Sequence, residues 1–395
     1  MLSNKKIILG ISGSIAAYRS LELIRLLRQR GASVFAMATQ GALEFITQLS
    51  IQTLTGQKPS GGIEHIESAY EGDALLIAPA TANMIAKMAH GIADNTLLQT
   101  YLSFTGPVLL APAMEAHMWQ HPATQDNIAL LKKRGVRVIE PEEGPLASGR
   151  TGVGRLADLE VIIEATEASL SPKDFQDVSV LLTAGPTIEE LDPVRYISNY
   201  SSGKMGVSLA KALVQRGAQV SLVHGPLQVS IPKIQGLKLF PVKSALDMMS
   251  FCLELSPKSN LAILCAAVAD FKPANRHNEK IKKSDSYALN LTVNPDILKT
   301  LGSQKSKPFL VGFAAETEDL EANAVQKCIK KCCDLICGNQ ISASHFPFGD
   351  DDNQMIVADQ SGVVARFERQ DKLTLAHKIL DLIRPSLASG AFADS

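Results

Sequence analysis

The stretch KKIILGISGSIAAYRSLELIRLLRQR, Lys5 to Arg30, decides the fold. Its first part, Lys5 to Ser12, is a short apolar run that stops at Gly13, and an amphipathic stretch follows from Ile15 to Arg30. The reading is strand, tight turn, helix. A second run, Ala32 to Thr39, predicts another strand, and apolar runs at Asp73 to Pro79, Pro107 to Ala111 and Val136 to Ile139 alternate with helical stretches. That alternation predicts a parallel sheet covered on both faces.

Beyond Glu164 the chain turns polar through EATEASLSPKDFQD, and Val178 to Thr183 then starts the pattern again. Residues 165–178 read as a linker, which gives one domain over 1–172, a linker ending at 173–178 and a second domain over 179–395. The second half echoes the first, because VQRGAQVSLVH (Val214 to His224) is patterned like RQRGASVFAMA (Arg28 to Ala38), a helix closed by Gly before a strand. One echo reflects shared architecture and not a solenoid. Further strands are expected at Leu261 to Cys265, Phe309 to Phe313 and Leu335 to Cys337. A hairpin is expected from Gln354 to Ala358 and Val363 to Phe367, with a final helix from Asp371. The predicted fold class is α/β, two doubly wound Rossmann-like domains.

Composition agrees with two globular domains: 395 residues, 46% hydrophobic and 20% charged. The 39 basic and 40 acidic side chains leave a net charge of -1, so neither nucleic acid nor an anionic membrane is an expected partner. Small molecules are. The longest apolar run, Leu261 to Ala269, has nine residues, against the roughly 20 that a membrane helix needs. Met1 to Lys6 carries no signal-peptide core, so the expected location is the cytoplasm, with six reduced cysteines.

Ser12-Gly13-Ser14 sits where a strand feeds a helix N-terminus, so backbone NH groups and the positive end of the dipole converge there. A phosphate fits, and so does plain turn geometry. Neither GxGxxG nor GxxxxGK[ST] is present, which argues against a standard nicotinamide-dependent oxidoreductase or a Walker loop. Ala78-Pro79-Ala80-Thr81-Ala82-Asn83 offers hydroxyl and amide groups at the C-terminal edge of the sheet, where ligands of open α/β sheets bind. His65, in GluHisIleGlu, reads as a base, an orienting donor or a surface residue. Ala111 to Trp119 carries the only Trp.

Taken together, GlySerIleAlaAlaTyr, His65, AlaProAlaThrAlaAsn, ProAlaMetxxxMetTrp and Gly152-Val153-Gly154-Arg155 resemble the flavin-dependent cysteine decarboxylase family over residues 5–160. The resemblance implies a flavodoxin-like domain that binds FMN at a subunit interface of a trimer. It implies Ser12, Gly13, Ser14, Thr39, Thr81 and Asn83 around the cofactor and His65 as the catalytic histidine. The implied chemistry is oxidation of a substrate thiol by the flavin, which creates an electron sink for a departing carboxylate. Two positions depart from the family pattern. Glu115 replaces the Asn of ProAlaMetAsn, and Ser148, in Ala147-Ser148-Gly149, replaces the flap Cys that donates the final proton. A hydroxyl is a far weaker acid than a thiol, so Glu115 becomes a candidate proton donor. The alternative is a first half that binds FMN and assembles the oligomer while ligation is the only activity.

In the second half, Thr183-Ala184-Gly185-Pro186-Thr187 ends a strand, and Leu191 to Gly206 leads into a helix. Ser201, Ser202, Gly203 and Lys204 at that helix start offer hydroxyls, NH groups and an ammonium to an anion. Asp270, after a strand, and the basic cluster Glu279 to Lys283 suit a nucleoside triphosphate with Mg²⁺. LeuAspProValArgTyrIleSerAsnTyrSerSerGlyLysMetGly resembles the phosphopantothenate-cysteine ligase family over residues 179–385.

That resemblance implies activation of the 4'-phosphopantothenate carboxylate by CTP as an acyl-cytidylate, followed by attack of cysteine's amine. Carried over are Asn199 for the acyl-cytidylate step, Lys280 for the triphosphate, and Cys265, Ala266, Asp270, Pro295, Asp296, Ile297, Leu298, Phe313, Lys327 and Lys331 for CTP. With both halves active the product is 4'-phosphopantetheine. Implied partners are these small molecules and further copies of the chain: trimers of the first half and dimers of the second, compatible with a dodecamer. Cys328, Cys332, Cys333 and Cys337 lack paired CxxC spacing and read as buried thiols, not a zinc site.

Overall fold

Strand runs without internal polar positions must be buried on both faces, and the three central strands of the first half are, beyond their first residues. The computed structural model describes residues 2–56, 71–147, 149–231, 236–283, 287–341 and 349–388. The chain divides into two compact units, Met1–Ser171 and Pro172–Ser395. In the first, β1 (Lys6–Ile11), β2 (Ser33–Ala38), β3 (Ala74–Ala80), β4 (Val108–Pro112) and β5 (Arg137–Val138) form a parallel sheet ordered β2-β1-β3-β4-β5. This is the flavodoxin-like order, and its switch point lies between β1 and β3. All seven residues of β3 are buried. The helices Ala17–Gln29 and Leu159–Leu170 seal one face through Leu23, Ile24, Ile162 and Ile163. Ala82–His90, Thr96–Ser103 and Pro122–Lys133 seal the other through Ile85, Leu98 and Leu131. An antiparallel hairpin of β6 (Glu142–Pro145) and β7 (Thr151–Arg155) stands apart from that sheet.

The second unit has one eight-stranded sheet. In chain order its strands are β8 (Ser179–Ala184), β11 (Gln219–His224), β12 (Leu237–Pro241), β13 (Leu261–Leu264), β16 (Phe309–Glu316), β17 (Leu335–Gln340), β18 (Asp352–Ala358) and β19 (Val363–Asp371). They lie in the order β12-β11-β8-β13-β16-β17-β18-β19, parallel up to β17 and antiparallel beyond it. The first six strands follow the Rossmann order, with the switch point between β8 and β13. Lys204–Gln215 and Lys372–Ala388 cover one face, while Ala245–Leu255, Ile297–Gly302 and Leu320–Lys331 cover the other. Two short antiparallel ribbons, β9 (Ile188–Glu190) with β10 (Tyr196–Ser198) and β14 (Phe271–Pro273) with β15 (Leu291–Val293), were not legible in the sequence. Three-residue strands show no usable period.

The linker reading of residues 165–178 is corrected. Residues up to Leu170 belong to a helix that buries Ala165, Thr166, Glu167 and Ala168 against the first unit, so polar composition there did not mark an exposed spacer. Phe175 belongs to the second: its ring is fully buried in that core, with the Arg216 guanidinium 4.9 Å from its centroid. Arg216 also donates to Asp174, Nε to Oδ1 at 2.9 Å. The boundary falls between Ser171 and Pro172.

Candidate functional site

The six residues assigned to a phosphate-bearing cofactor, Ser12, Gly13, Ser14, Thr39, Thr81 and Asn83, line one cavity of about 530 Å³ at the β1/β3 switch point. Ser12 ties the two strand ends together, since its hydroxyl donates to the Pro79 carbonyl at 2.8 Å and accepts from the Thr81 NH at 2.9 Å. Thr81 caps the next helix, its hydroxyl accepting from the Met84 NH. Gly13 faces Gly41 so closely that a Cβ on it would stand 2.7 Å from the Gly41 carbonyl carbon. The helix Ala17–Gln29 has no side-chain cap and no acidic residue in its first turn, so its dipole end stays uncompensated beside this turn. This cradle fits a phosphate.

A second cavity of about 490 Å³ shares Ser14, Ala113 and Met114 with the first and adds Tyr18, Arg19, Glu115, Ala147 and Arg155. The GVGR segment reaches it through β7. The Met114 NH donates to the Gly154 carbonyl at 2.9 Å, and a Cβ on Gly154 would lie 2.2 Å from the Met114 oxygen. Glu115 caps the helix Ala116–Gln120: its Oε2 accepts from the His117 NH at 2.7 Å. Its Oε1 is buried without a hydrogen bond, 3.4 Å from His117 Nδ1. His65 and Ser148 lie outside the described residues.

The second unit has a cavity of about 750 Å³ at the β8/β13 switch point, lined by Asn199, Cys265, Ala266, Asp270, Pro295, Asp296, Ile297, Leu298, Phe313, Lys327 and Lys331. Lys280 is exposed, on the loop before β15, and is not among the lining residues. Hydroxyls and amides shape the rim. Thr183 Oγ1 accepts from the Ala266 NH at 3.1 Å, Thr187 Oγ1 from the Ala269 NH at 3.0 Å, and Asn199 donates to the Ala267 carbonyl at 3.0 Å. Asn294 donates to the Ala269 carbonyl at 2.9 Å while its Oδ1 remains buried and without a partner. Lys327 pairs with Glu316 at 2.6 Å and Lys331 with Asp296. Burial pushes the Cys265 thiol up to about 12, so it serves as a wall and not as a nucleophile.

The string around Leu191 owes its shape to Asp192. Its carboxylate accepts from the Val194, Arg195 and Ile281 NH groups and from the Arg195 guanidinium, which holds it far below the usual carboxylate range. Sequence reading missed Asn294, Asn339, Asn353 and Lys372, all of which line the cavity. Asn294 directly precedes the assigned Pro295 and was the one within reach. Cys328, Cys333 and Cys337 are buried and Cys332 is exposed at the helix end.

Two tandem domains with separate switch-point cavities are the class that this fold defines. A family model described as "Flavoprotein" matches residues 1–171, and one described as "DNA/pantothenate metabolism flavoprotein C-terminal domain" matches residues 175–386. Coenzyme A biosynthesis bifunctional protein CoaBC of Vibrio vulnificus (strain CMCP6) is 41% identical over 97% of this chain and 98% of its own length. That of Bacillus subtilis (strain 168) is 42% identical over 97% of each. The solved C-terminal domain of a protein of that name is 34% identical and covers 55% of this chain and 100% of its own, with a TM-score of 0.48. The chain belongs to the family of bifunctional coenzyme A biosynthesis enzymes, in which a phosphopantothenoylcysteine decarboxylase half precedes a phosphopantothenate-cysteine ligase half.

Proposed function

We propose that the cavity at β8/β13 carries out CTP-dependent ligation and that the paired cavities at β1/β3 hold FMN and the thiol substrate. The observation that carries this reading is the convergence of eleven assigned residues, separated by up to 132 positions from Asn199 to Lys331, on one cavity. In the ligase half, Asp270 is the carboxylate available to Mg²⁺, which typically binds through one or two carboxylates together with substrate phosphates. No cluster of three metal-ligating side chains occurs among the described residues, so the ion would arrive with the nucleotide. Lys327 and Lys331 neutralise the charge of the departing pyrophosphate, and Asn199 holds the activated acyl group.

In the decarboxylase half, bound FMN supplies a two-electron acceptor for the substrate thiol. Ser12, Gly13, Ser14, Thr39, Thr81 and Asn83 hold its phosphate and ring against the sheet edge. His65 orients the substrate. Glu115 Oε1, on the wall shared with Ala147 of the flap, donates the final proton where a flap cysteine is replaced by Ser148. The test is product analysis by mass after mixing the protein with 4'-phosphopantothenate, cysteine and CTP. 4'-Phosphopantetheine is expected; phosphopantothenoylcysteine alone would show that the first half binds flavin without turning over. No helix among the described residues is long and apolar enough to cross a membrane. The assembly suggested by the family, trimers of one half and dimers of the other, is part of the same proposal.

A further inference from the structure

We propose that Arg19 and Arg155 form an anion-binding end of the second cavity in the first unit and take the 4'-phosphate of the thiol substrate. This rests on the decarboxylase reading above. Arg19 stands in the first turn of the helix Ala17–Gln29 and Arg155 closes β7, and both line the cavity that also holds Glu115 and Ala147. Neither lines the neighbouring cavity assigned to the flavin, which leaves the FMN phosphate to the Ser12-Gly13-Ser14 turn.

The protein itself leaves both guanidinium groups largely unused. Arg19 makes no hydrogen bond among the described residues, and its Nε is buried without one. Its nearest carboxylate is Glu22 Oε2 at 3.7 Å, beyond hydrogen-bond reach, on a side chain that is 49% exposed, so water screens the pair. A cation in the first turn of a helix also opposes the dipole, and no acidic residue stands there to offset it. Arg155 is exposed, and its side chain lies across the facing strand of the hairpin, where a Cβ on Gly144 would stand 3.2 Å from its Cδ and 3.3 Å from its Nη1. Glu142, its partner in the strand register, turns Oε1 to the Asp158 NH at 2.9 Å. The cavity wall thus carries two guanidinium groups against one carboxylate, Glu115, whose Oε2 is held by the His117 NH.

Guanidinium forks match phosphate and carboxylate oxygens alike. The substrate carries one of each, and the chemistry separates them. Decarboxylation drains charge from the carboxylate as the bond breaks, so a pair of cations on that group would stabilise the ground state more than the transition state. The phosphate keeps its charge throughout, and its binding energy positions the distant thiol and carboxylate for reaction. The ligand group is therefore a phosphomonoester.

The test uses the full-length, flavin-loaded protein as wild type, Arg19→Gln and Arg155→Gln. 4'-Phosphopantetheine and pantetheine, the product with and without its phosphate, are titrated while the flavin absorbance near 450 nm reports binding. Wild type should bind the phosphorylated compound at least tenfold more tightly. Each variant should lose about tenfold in affinity for that compound, the effect of one charged hydrogen bond, with pantetheine unchanged. Arg19→Lys, which keeps the charge without the fork, should recover part of the loss. Equal wild-type affinity for the two compounds, or variants that weaken both alike, overturns the proposal. So does a loss confined to pantothenoylcysteine, which bears the carboxylate and no phosphate. If Arg19→Gln fails to fold, Arg155→Gln, at an exposed position, is held to the same outcomes. A wild type that takes up no flavin would instead sink the reading of the first half.

Discussion

Glu115 shows how one side chain can hold two positions at once. Oε2 is committed to the His117 NH as a helix cap, which leaves Oε1, buried 3.4 Å from His117 Nδ1, as the oxygen of the proposed proton donor. Glu115→Gln keeps an oxygen for the cap and removes the acid. We expect decarboxylation to slow by about 100-fold, in line with the loss of one general acid, with ligation and melting temperature unchanged. Full decarboxylase turnover in this variant would exclude Glu115 as the donor. Gly13 is a steric case. A methyl group there meets backbone, not a movable side chain, so Gly13→Ala must push the Gly41 loop away from the phosphate cradle. The variant should purify with little of the flavin absorbance near 450 nm and with ligation intact; a fully yellow Gly13→Ala protein would contradict the cradle.

At the scale of elements, the segment between the two sheets decides where the protein can be cut. Residues 172–178 look like a spacer in composition, yet Phe175 fills the second core and Asp174 holds Arg216. A fragment that starts at Pro172 should be more stable than one that starts at Val178. The expected difference is about 3–5 kcal/mol, the usual cost of losing a buried aromatic ring. Urea midpoints of the two fragments measure it, and equal midpoints would mean that Phe175 contributes nothing net. The hairpin β6–β7 is another element that the sequence hid: EEGP and TGVGR have no apolar alternation. What forms it is the approach of Gly154 to the Met114 backbone, a contact between residues 40 positions apart.

For the molecule as a whole, pH acts through a buried histidine. His377 packs inside the second unit, its Nε2 3.0 Å from Gln215 Oε1, and burial, with Arg216 adding to it, lowers its pKa to about 4. The unfolded chain binds this proton near pH 6.5, so the stabilisation is complete above 6.5 and is lost as pH falls toward 4. Between pH 7 and pH 5 the second half should lose about 2 kcal/mol through this group. His377→Gln should flatten that part of the profile, and a profile identical to wild type would assign the loss elsewhere. The first half, which lacks this residue, should not follow the same curve.

Strand and helix alternation, the glycine turn at Ser12-Gly13-Ser14 and the string from Leu191 to Gly206 were legible in the sequence, because each is a local pattern of polarity and turn chemistry. The order of strands within each sheet was not, because order depends on where crossovers land and not on the strands themselves. The switch-point cavities follow from that order. Lys372 looks like any surface lysine in RQDKLTLAHK. Tertiary packing leaves it only 5% exposed, with Nζ donating to the Asp350 carbonyl and its backbone NH to that of Asp351. Local chemistry named the elements and most residues that turn out to line the cavities; long-range packing decided which side chains share one.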